Sequence, residues 1–334
     1  MKIIFSYPVF LLFLSNALHG QAVDVDLQSV DQERSAFIEE MVETHNFTRS
    51  QLTRTLSNID INERILEAIS RPAEKVLPWY EYRQIFLNDA RINGGVEFWI
   101  NHADTIQKAS QSYGVAPEML VSILGIETYY GQRTGNYRVV DSLATLAFAY
   151  PPRADFFRSE LESFFLLVTE EDIDPGVVMG SYAGAMGAGQ FISSSYRAYA
   201  VDGDSDGRRD LWNNWDDVLS SVANYFSTHG WRSGEQIAVR ASVLQNRSMR
   251  EPANSMSLDE SVTSLRDAGY VFSTELPEET PVTVLSLQSE NGQEYWVGYH
   301  NFHVITRYNH SVMYALAAFQ LGEIIRAEYE QTLN

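Results

Sequence analysis

One carboxyl group in this chain is unusual because of its surroundings. Glu127 is the only charged residue in the apolar run LVSILGIETYYG, residues 120–131. Burying an isolated carboxylate is costly, so such a group tends to take up a proton and its pKa rises. A carboxylic acid that stays neutral near pH 7 is suited to general acid catalysis. Glu127 is therefore the first candidate for chemistry, although a lone Glu on an apolar helix is more often a satisfied core or interface residue.

A glycine-rich segment, SYAGAMGAGQFISSSY at residues 181–196, offers a second set of groups. Its closely spaced glycines would let a backbone or a ligand approach closely. Ser181 and Gln190 add neutral hydrogen-bonding groups, which suit sugar and N-acetyl recognition. The segment does not fit a phosphate loop, since no Lys follows it and no strand plainly precedes it. We interpret it as one wall of a saccharide groove, with tight helix packing as the alternative.

An acidic loop, DGDSDGRRD at residues 202–210, forms a third candidate site. Asp202, Asp204 and Asp206 occupy alternate positions, and a glycine follows directly. Carboxylates at loop positions one, three and five, with glycine at six, are typical of a calcium loop built from oxygen ligands. Arg208 would offer its backbone carbonyl at position seven.

The closing ligand of this loop is open from the sequence. Asn213 stands where a calcium loop normally has a bidentate Glu, and Asp216 or Asp217 could close the site from a longer loop. The crowded carboxylates would repel one another without a cation. We predict a structural calcium site, with a solvated acidic turn as the alternative.

The local pattern around the first candidate predicts a helix that ends close to it. Pro117 and Glu118 suit a first helical turn, and Gly131 suits a stop. Glu127 then lies near the C-terminal end of the helix, where the negative end of the helix dipole disfavours a carboxylate. Burial and dipole should therefore both raise its pKa.

The rest of the chain reads as predominantly α with a minor β part. Residues 25–69 show helical spacing of apolar residues and predict an opening helical lobe. Alternating apolar residues on either side of Asn291–Gly292 predict a hairpin or a small sheet. Residues 311–333 predict a closing helix.

Length and composition are those of a globular protein. The chain has 334 residues, of which 45% are hydrophobic and 20% charged. Its net charge of −20 argues against nucleic acid and anionic membranes as partners. Residues 1–20 carry Lys2, a short apolar stretch and a small polar region, which predict a signal peptide cut after Gly20, with an uncleaved anchor as the alternative.

Several other chemistries find no support. The chain has no cysteine, which excludes disulfides, thiolate metal sites, cysteine nucleophiles and a lipid attached to an N-terminal cysteine. It also contains no HExxH and no GxSxG motif, so the sequence gives no basis for a zinc protease or a serine hydrolase.

Taken together, these motifs resemble those of the lytic murein transglycosylase B family, bacterial enzymes that cleave peptidoglycan and have a lysozyme-like core. The similar segments occur in family order over roughly residues 30–330. They are PWYEYRQIF (78–86), ILGIETYYG (123–131), YPPRADFF (150–157), the glycine-rich segment, DGDSDGRRDLW with SVANYF (202–226), and NFHVITRYNHSVMYALAAFQLG (301–322).

The resemblance implies an α+β fold that is predominantly α. After the signal peptide come an N-terminal helical lobe (21–90), a lysozyme-like catalytic core with an EF-hand-like calcium loop (91–232), and a small β subdomain with a closing C-terminal helix (233–334). It also implies Glu127 as the single catalytic acid and base, and the acidic loop as a calcium site closed by Asp217 or Asp216.

Seven further residues match positions that contact the glycan in that family. Arg153 would meet the anionic lactyl or peptide part of the substrate, and core packing is the alternative for each tyrosine. The seven are Tyr82, Arg153, Ser181, Gln190, Tyr225, Tyr308 and Tyr314.

The implied activity is cleavage of the β-1,4 bond between N-acetylmuramic acid (MurNAc) and N-acetylglucosamine (GlcNAc) without hydrolysis, which leaves 1,6-anhydro-MurNAc ends. The partner would be the peptidoglycan glycan strand, the cofactor a structural Ca²⁺ with none for catalysis, and the location the periplasm, in soluble form. No second acid is evident near Glu127, whereas ordinary glycosidases use two. A hydrolytic muramidase and a non-catalytic, calcium-stabilised peptidoglycan-binding protein are the alternatives.

Overall fold

A computed structural model of the chain describes residues 27–57, 59–70, 77–244 and 252–333. The predicted signal peptide, residues 1–20, lies outside the described residues. Within those ranges the chain is mostly helical with a minor β part, as the sequence predicts. The strands form two antiparallel sheets, one of two strands and one of five.

The opening helices do not form a core of their own. Phe37 of the first helix packs edge-on against Phe148 in the centre of the chain, with ring centroids 6.0 Å apart, and the apolar residues of both regions belong to one continuous cluster. The predicted N-terminal lobe is therefore attached to the central helices through shared core packing. These helices are α1 (Leu27–His45), α2 (Arg49–Leu56), α3 (Glu63–Ile69) and α4 (Trp79–Phe86).

The central helices surround α7 (Pro117–Thr128), which carries Glu127. Ten of its twelve residues are buried, and it contacts α5, α6 and α11. It begins at Pro117, as predicted, but ends at Thr128, three residues before the predicted stop, because Tyr129 and Tyr130 already have left-handed backbones. The other central elements are α5 (Asp89–Asn101), α6 (Ala103–Tyr113), β1 (Tyr137–Arg138), α8 (Val139–Ala149), a short 3₁₀ turn (Pro151–Arg153), α9 (Ala154–Glu170), β2 (Met179–Gly180), α10 (Ser193–Tyr199) and α11 (Trp215–Thr228).

The larger of the two sheets has five antiparallel strands in the spatial order β4–β6–β7–β3–β5. The hairpin predicted near Asn291 is confirmed: Ser289 pairs with Gly292, so the turn consists of Glu290 and Asn291. The sheet and α12 enclose a second, smaller apolar cluster. These elements are β3 (Ala238–Val243), β4 (Glu260–Ser261), α12 (Val262–Asp267), β5 (Tyr270–Val271), β6 (Pro281–Ser289) and β7 (Gly292–Gly298).

Two more helices return the chain from the sheet to the central helix. They are α13 (His300–Tyr308) and α14 (Val312–Thr332). The predicted closing helix is thereby confirmed, and α14 packs against α7, α5 and α4. Over the described parts of the chain, we find no helix with the length and apolarity needed to cross a membrane.

The buried side chain of Glu294 joins the five-stranded sheet to α4. Glu294 of β7 accepts hydrogen bonds from the indole N–H of Trp79 on α4 (2.5 Å) and of Trp296 on its own strand (3.0 Å). Trp79 stacks on Tyr82 of the same helix, with centroids 6.2 Å apart. The five-stranded sheet therefore helps to hold α4 in position, although the sheet itself follows the central helices in the chain.

Candidate active site

The carboxyl group of Glu127 lies half-buried in the last turn of α7. Tyr314 of α14 donates a hydrogen bond from its hydroxyl to Glu127 Oε1, at 2.5 Å. Burial raises the pKa of Glu127 to about 7, and the hydrogen bond from Tyr314 opposes that rise because it stabilises the charged form. The group can therefore hold or release a proton near neutral pH.

Tyr308 lies beside this carboxyl and keeps part of its surface exposed. Its hydroxyl donates to the carbonyl oxygen of Gly189 at 2.5 Å, which ties α13 to the glycine-rich segment. Burial raises the pKa of Tyr308, and the charge of Glu127 adds to the rise. Tyr308 is thus a neutral ring at the edge of the site.

The other three predicted tyrosines are almost fully buried. Tyr82 is 0% exposed, Tyr314 1% and Tyr225 4%. Tyr225 donates its hydroxyl to the carbonyl of Arg307 at 2.5 Å, and its ring packs edge-on against Tyr308 with centroids 4.9 Å apart. Tyr314 and Tyr225 therefore position other groups of the site, whereas Tyr82 packs against Trp79 and Phe86 of its own helix.

The glycine-rich segment is held against the end of α7 by a residue that the sequence reasoning missed. Thr128 donates its hydroxyl to the carbonyl of Ala188 at 2.7 Å and accepts the N–H of Gly131 at 2.9 Å. The only sequence signal for this role is its place directly after Glu127. Thr128 therefore links the wall formed by residues 181–196 to the helix turn that carries Glu127.

Ser181 and Gln190 both serve the shape of this wall. The hydroxyl of Ser181 is buried and accepts the backbone N–H of Ala185 at 2.9 Å, which closes a tight turn. The Gln190 side chain donates to the carbonyls of Thr134 (3.1 Å) and Gly187 (3.0 Å), and it is half-buried. Gln190 is therefore the better placed of the two to meet a ligand.

Arg153 ends the 3₁₀ turn before α9 and is half-buried there. Its guanidinium lies over the rings of Phe156 (4.3 Å) and Phe157 (5.1 Å). Its charge also lowers the pKa of buried Glu160, a smaller effect than the burial that raises it. Arg153 thus belongs to the start of α9, and its contact with a substrate stays a prediction.

The acidic loop brings three carboxylates together. Oxygen atoms of Asp202, Asp204 and Asp217 all lie within 4.8 Å of one another. Asp217 is fully buried, and burial raises its pKa together with the charges of the other two, while backbone N–H groups from Gly203 and Asp210 oppose the rise. Three carboxylates so close to one another suit a bound cation.

The structure also distinguishes the two candidates for the closing ligand. Asp216 accepts a hydrogen bond from Lys108 Nζ at 2.8 Å, whereas Asp217 lies inside the loop. Asp206 is exposed, accepts the backbone N–H of Arg208 at 2.9 Å, and is not one of the three clustered carboxylates. The group that could hold a metal is therefore built around Asp202, Asp204 and Asp217.

Comparisons with known proteins agree over most of the chain. Residues 29–323 match the family model described as "Transglycosylase SLT domain". Membrane-bound lytic murein transglycosylase B of Escherichia coli K12 is 41% identical over 298 residues, which make up 86% of this chain and 81% of that protein. The family match contains both the glycine-rich segment and the acidic loop.

Solved structures show the same extent of similarity. The soluble lytic transglycosylase SltB1 of Pseudomonas aeruginosa is 47% identical and has a TM-score of 0.81, over 89% of this chain and 99% of that one. The lytic transglycosylase Slt35 of Escherichia coli, solved in complex with calcium, is 39% identical with a TM-score of 0.80, over 89% and 93%.

Replacing Tyr314 by Phe should raise the pKa of Glu127 further, because the ring remains while the hydrogen bond to the carboxylate is lost. A hydrogen bond to a charged group contributes about 1.5–3 kcal/mol, so a rise of about one to two pH units is expected. The NMR shift of the Glu127 carboxyl carbon, followed against pH, measures it. Tyr308→Phe is the matched control, since its hydroxyl donates to Gly189. An unchanged or lowered pKa in Tyr314→Phe would contradict this assignment.

Replacing Gly187 by Ala should destabilise the protein by about 3 kcal/mol. Its φ of +68° is unfavourable for a side chain, and a Cβ there would collide with the carbonyl oxygen of Leu211. Gly234, with φ of +72° and open space around it, is the control, and its Ala variant should cost only about 1 kcal/mol. Urea unfolding of both variants tests this, and equal losses would show that the wall does not need close packing at Gly187.

Proposed function

The chain belongs to the transglycosylase SLT domain family, with lytic murein transglycosylases as its relatives, and from that premise we propose that Glu127 is its single catalytic acid and base. The fold is the lysozyme-like fold of lytic transglycosylases, mostly helical with a small sheet. The observation that carries the proposal is a half-buried carboxyl with a pKa of about 7, held through one of its oxygens by Tyr314.

The proposed substrate is the glycan strand of peptidoglycan, the polymer also called murein in the name of the Escherichia coli relative. The half-buried ring of Tyr308 lies beside the carboxyl, and the half-buried amide of Gln190 belongs to the glycine-rich segment to which Tyr308 is hydrogen-bonded. Aromatic faces pack on sugar C–H groups, and amides bond hydroxyl and acetamido groups. These groups suit a neutral saccharide backbone.

The reaction begins with protonated Glu127, which donates its proton to the glycosidic oxygen between MurNAc and GlcNAc. The bond to C1 of MurNAc breaks, and the positive charge at C1 is held as an oxocarbenium-like centre or as an oxazolinium ion formed with the substrate's own acetamido oxygen. The Glu127 carboxylate then removes the proton from the C6 hydroxyl of MurNAc. The C6 oxygen closes onto C1 as a 1,6-anhydro ring, so Glu127 regains its proton and no water is consumed.

The electrostatics of Glu127 fit a group that acts twice. A pKa near the working pH lets one carboxyl give a proton in the first step and accept one in the second. Among the described residues, its hydrogen bonds and the causes of its pKa shift include no second carboxylate. Ordinary glycosidases place two carboxyl groups roughly 5 to 9.5 Å apart, the second acting as nucleophile or activating water. A solitary carboxyl therefore favours ring closure.

We further propose that the acidic loop holds a structural calcium ion. Asp202, Asp204 and Asp217 would supply carboxylate oxygens, and Arg208 its backbone carbonyl, with Asp206 able to turn inward from its exposed position. The carboxylate cluster supports this, as does the calcium complex of the relative Slt35. The ion would fix the loop to the start of α11, the helix that carries Tyr225, and would take no part in bond cleavage.

The remaining sequence-based predictions stand as part of this proposal. We infer export to the periplasm from residues 1–20 and from the substrate, and a soluble form because the chain lacks a cysteine for lipid attachment, although the Escherichia coli relative is named membrane-bound. The division into 21–90, 91–232 and 233–334 also stays a prediction, supported at its second boundary by the separate apolar cluster of the sheet.

Replacing Glu127 by Gln should abolish the release of soluble muropeptides from purified peptidoglycan, by a factor of about a thousand or more, because the only proton donor and acceptor is lost. The variant should keep the fold, and its free energy of unfolding above pH 7 should be no lower than that of the wild type. The reason is that the pKa of Glu127 is raised in the folded state, so its ionised form above pH 7 disfavours folding of the wild type. Circular dichroism and thermal melts check this. Glu118→Gln, on the same helix but paired with Arg326, is the control and should stay active. Unchanged lysis by Glu127→Gln would contradict the proposal.

Removing calcium should lower the melting temperature by about 5 °C or more. This is the shift expected when the calcium concentration before removal is about a hundred times the Kd of the site. Readdition of calcium should restore it. Asp217→Asn should lose this response, whereas Asp216→Asn should keep it because Asp216 pairs with Lys108. Melts recorded with and without chelator decide, and a chelated protein that shows no shift when calcium is added would count against the site.

A further inference from the structure

Aromatic rings and guanidinium groups alternate in a stack at the end of α7. The guanidinium carbon of Arg91 lies 5.2 Å from the ring centre of Phe86 and 4.7 Å from that of Tyr129. Arg133 covers Tyr129 at 5.0 Å. Two positive charges therefore share one tyrosine, two residues beyond Glu127 in the chain.

The inner arginine of this stack is a fixed part of the fold. Arg91 is buried and donates to the backbone carbonyls of Gly125 (2.9 Å) and Ile85. Burial lowers the pKa of Arg91, and the neighbouring charge of Arg133 adds to that effect, against the opposing influence of Tyr129. Arg91 thus holds Tyr129 in place and leaves a positive charge beneath it.

The outer arginine has no acidic partner in the described chain. Arg133 is exposed, and among the described residues its guanidinium forms no ion pair and no hydrogen bond. Nine arginines of the same ranges pair with carboxylates. Arg208 and Arg240 are likewise exposed and form no ion pair among the described residues, but only Arg133 of these three stacks on a ring at the end of α7.

The backbone of this arginine connects the two sides of the site. The N–H of Arg133 donates to the carbonyl of Thr128 at 2.8 Å, and the next carbonyl, that of Thr134, accepts from Gln190 at 3.1 Å. The segment that carries Arg133 is therefore attached both to the end of α7 and to the glycine-rich segment.

We propose that Arg133 binds a carboxylate of the substrate, carried by the peptide stem of MurNAc or by its lactyl group where the stem has been removed. The inference rests on the proposed function and names a further specificity residue for it, in addition to Arg153. A guanidinium binds carboxylates in a planar, bidentate manner, and stacking on Tyr129 pre-orients it. A purely structural role, in which Arg133 only offsets the negative end of the α7 dipole, is the alternative.

The test compares Arg133→Gln with the wild type on three substrates. The first is glycan strands with intact peptide stems, the second is the same strands after amidase treatment, which frees the lactyl carboxylate, and the third has that carboxylate converted to a neutral amide. Arg133→Gln should lower kcat/KM about three- to tenfold, mainly through KM, on substrates with a carboxylate and not on the neutral one. Arg133→Lys should recover part of the loss, and Arg240→Gln, an exposed arginine on β3, controls for the change in net charge.

The pattern of losses identifies the carboxylate. A loss on stem-bearing strands alone assigns the stem, and a loss on the first two substrates shows that either carboxylate is accepted. No loss on any substrate, or an equal loss on all three, would overturn the proposal. Release of 1,6-anhydro ends by the wild type is scored separately, so a failure of the proposed function is distinguishable from a failure of this inference.

Discussion

The proposed chemistry depends on the half-buried position of the Glu127 carboxyl group, at the C-terminal and therefore negative end of α7. Burial disfavours the charge on Glu127, and a hydrogen bond from Tyr314 partly compensates for that burial. The balance leaves a pKa of about 7. Because Tyr314 comes from α14, 187 residues further along the chain, this balance exists only once the C-terminal helix has packed onto α7.

The surrounding elements limit how far that carboxyl and its neighbours can move. Thr128 ties the end of α7 to the glycine-rich wall, and Tyr308 ties the same wall to α13. The Glu294 carboxylate joins Trp79 of α4 to the five-stranded sheet. Through this contact the sheet holds α4, which also packs against α14, the helix that carries Tyr314. A rigid surround suits a reaction in which the same carboxyl must meet two different oxygen atoms of the substrate in turn.

Local patterns predicted those features that depend on near neighbours in the chain. Pro117 marked the start of α7, the apolar run and the nearby helix end indicated a raised pKa for Glu127, and Asn291 marked the hairpin. What the sequence could not reveal depends on long-range packing. The burial of Tyr82 and Tyr225, which looked like groove residues, follows from helices that meet only in three dimensions.

The same reason applies to the acidic loop and to the edge of the site. The spacing identified Asp202 and Asp204 as candidate metal ligands. That Asp217 and not Asp216 joins them in the carboxylate cluster depends on packing against α6, because Lys108 of α6 donates a hydrogen bond to Asp216. Arg133 gave no signal in the sequence, because the role proposed for it depends on its stacking on Tyr129, which only the structure shows.

The central claim is that one carboxyl acts first as acid and then as base, so that the muramoyl C6 hydroxyl and not water closes the reaction. Digestion of purified peptidoglycan in water labelled with the heavy oxygen isotope, followed by mass spectrometry of the muropeptides, tests it most directly. The account predicts products lighter than the hydrolytic ones by one water, with no heavy oxygen at the new MurNAc ends. Reducing ends that carry the heavy isotope at C1 would contradict it and identify a hydrolytic muramidase.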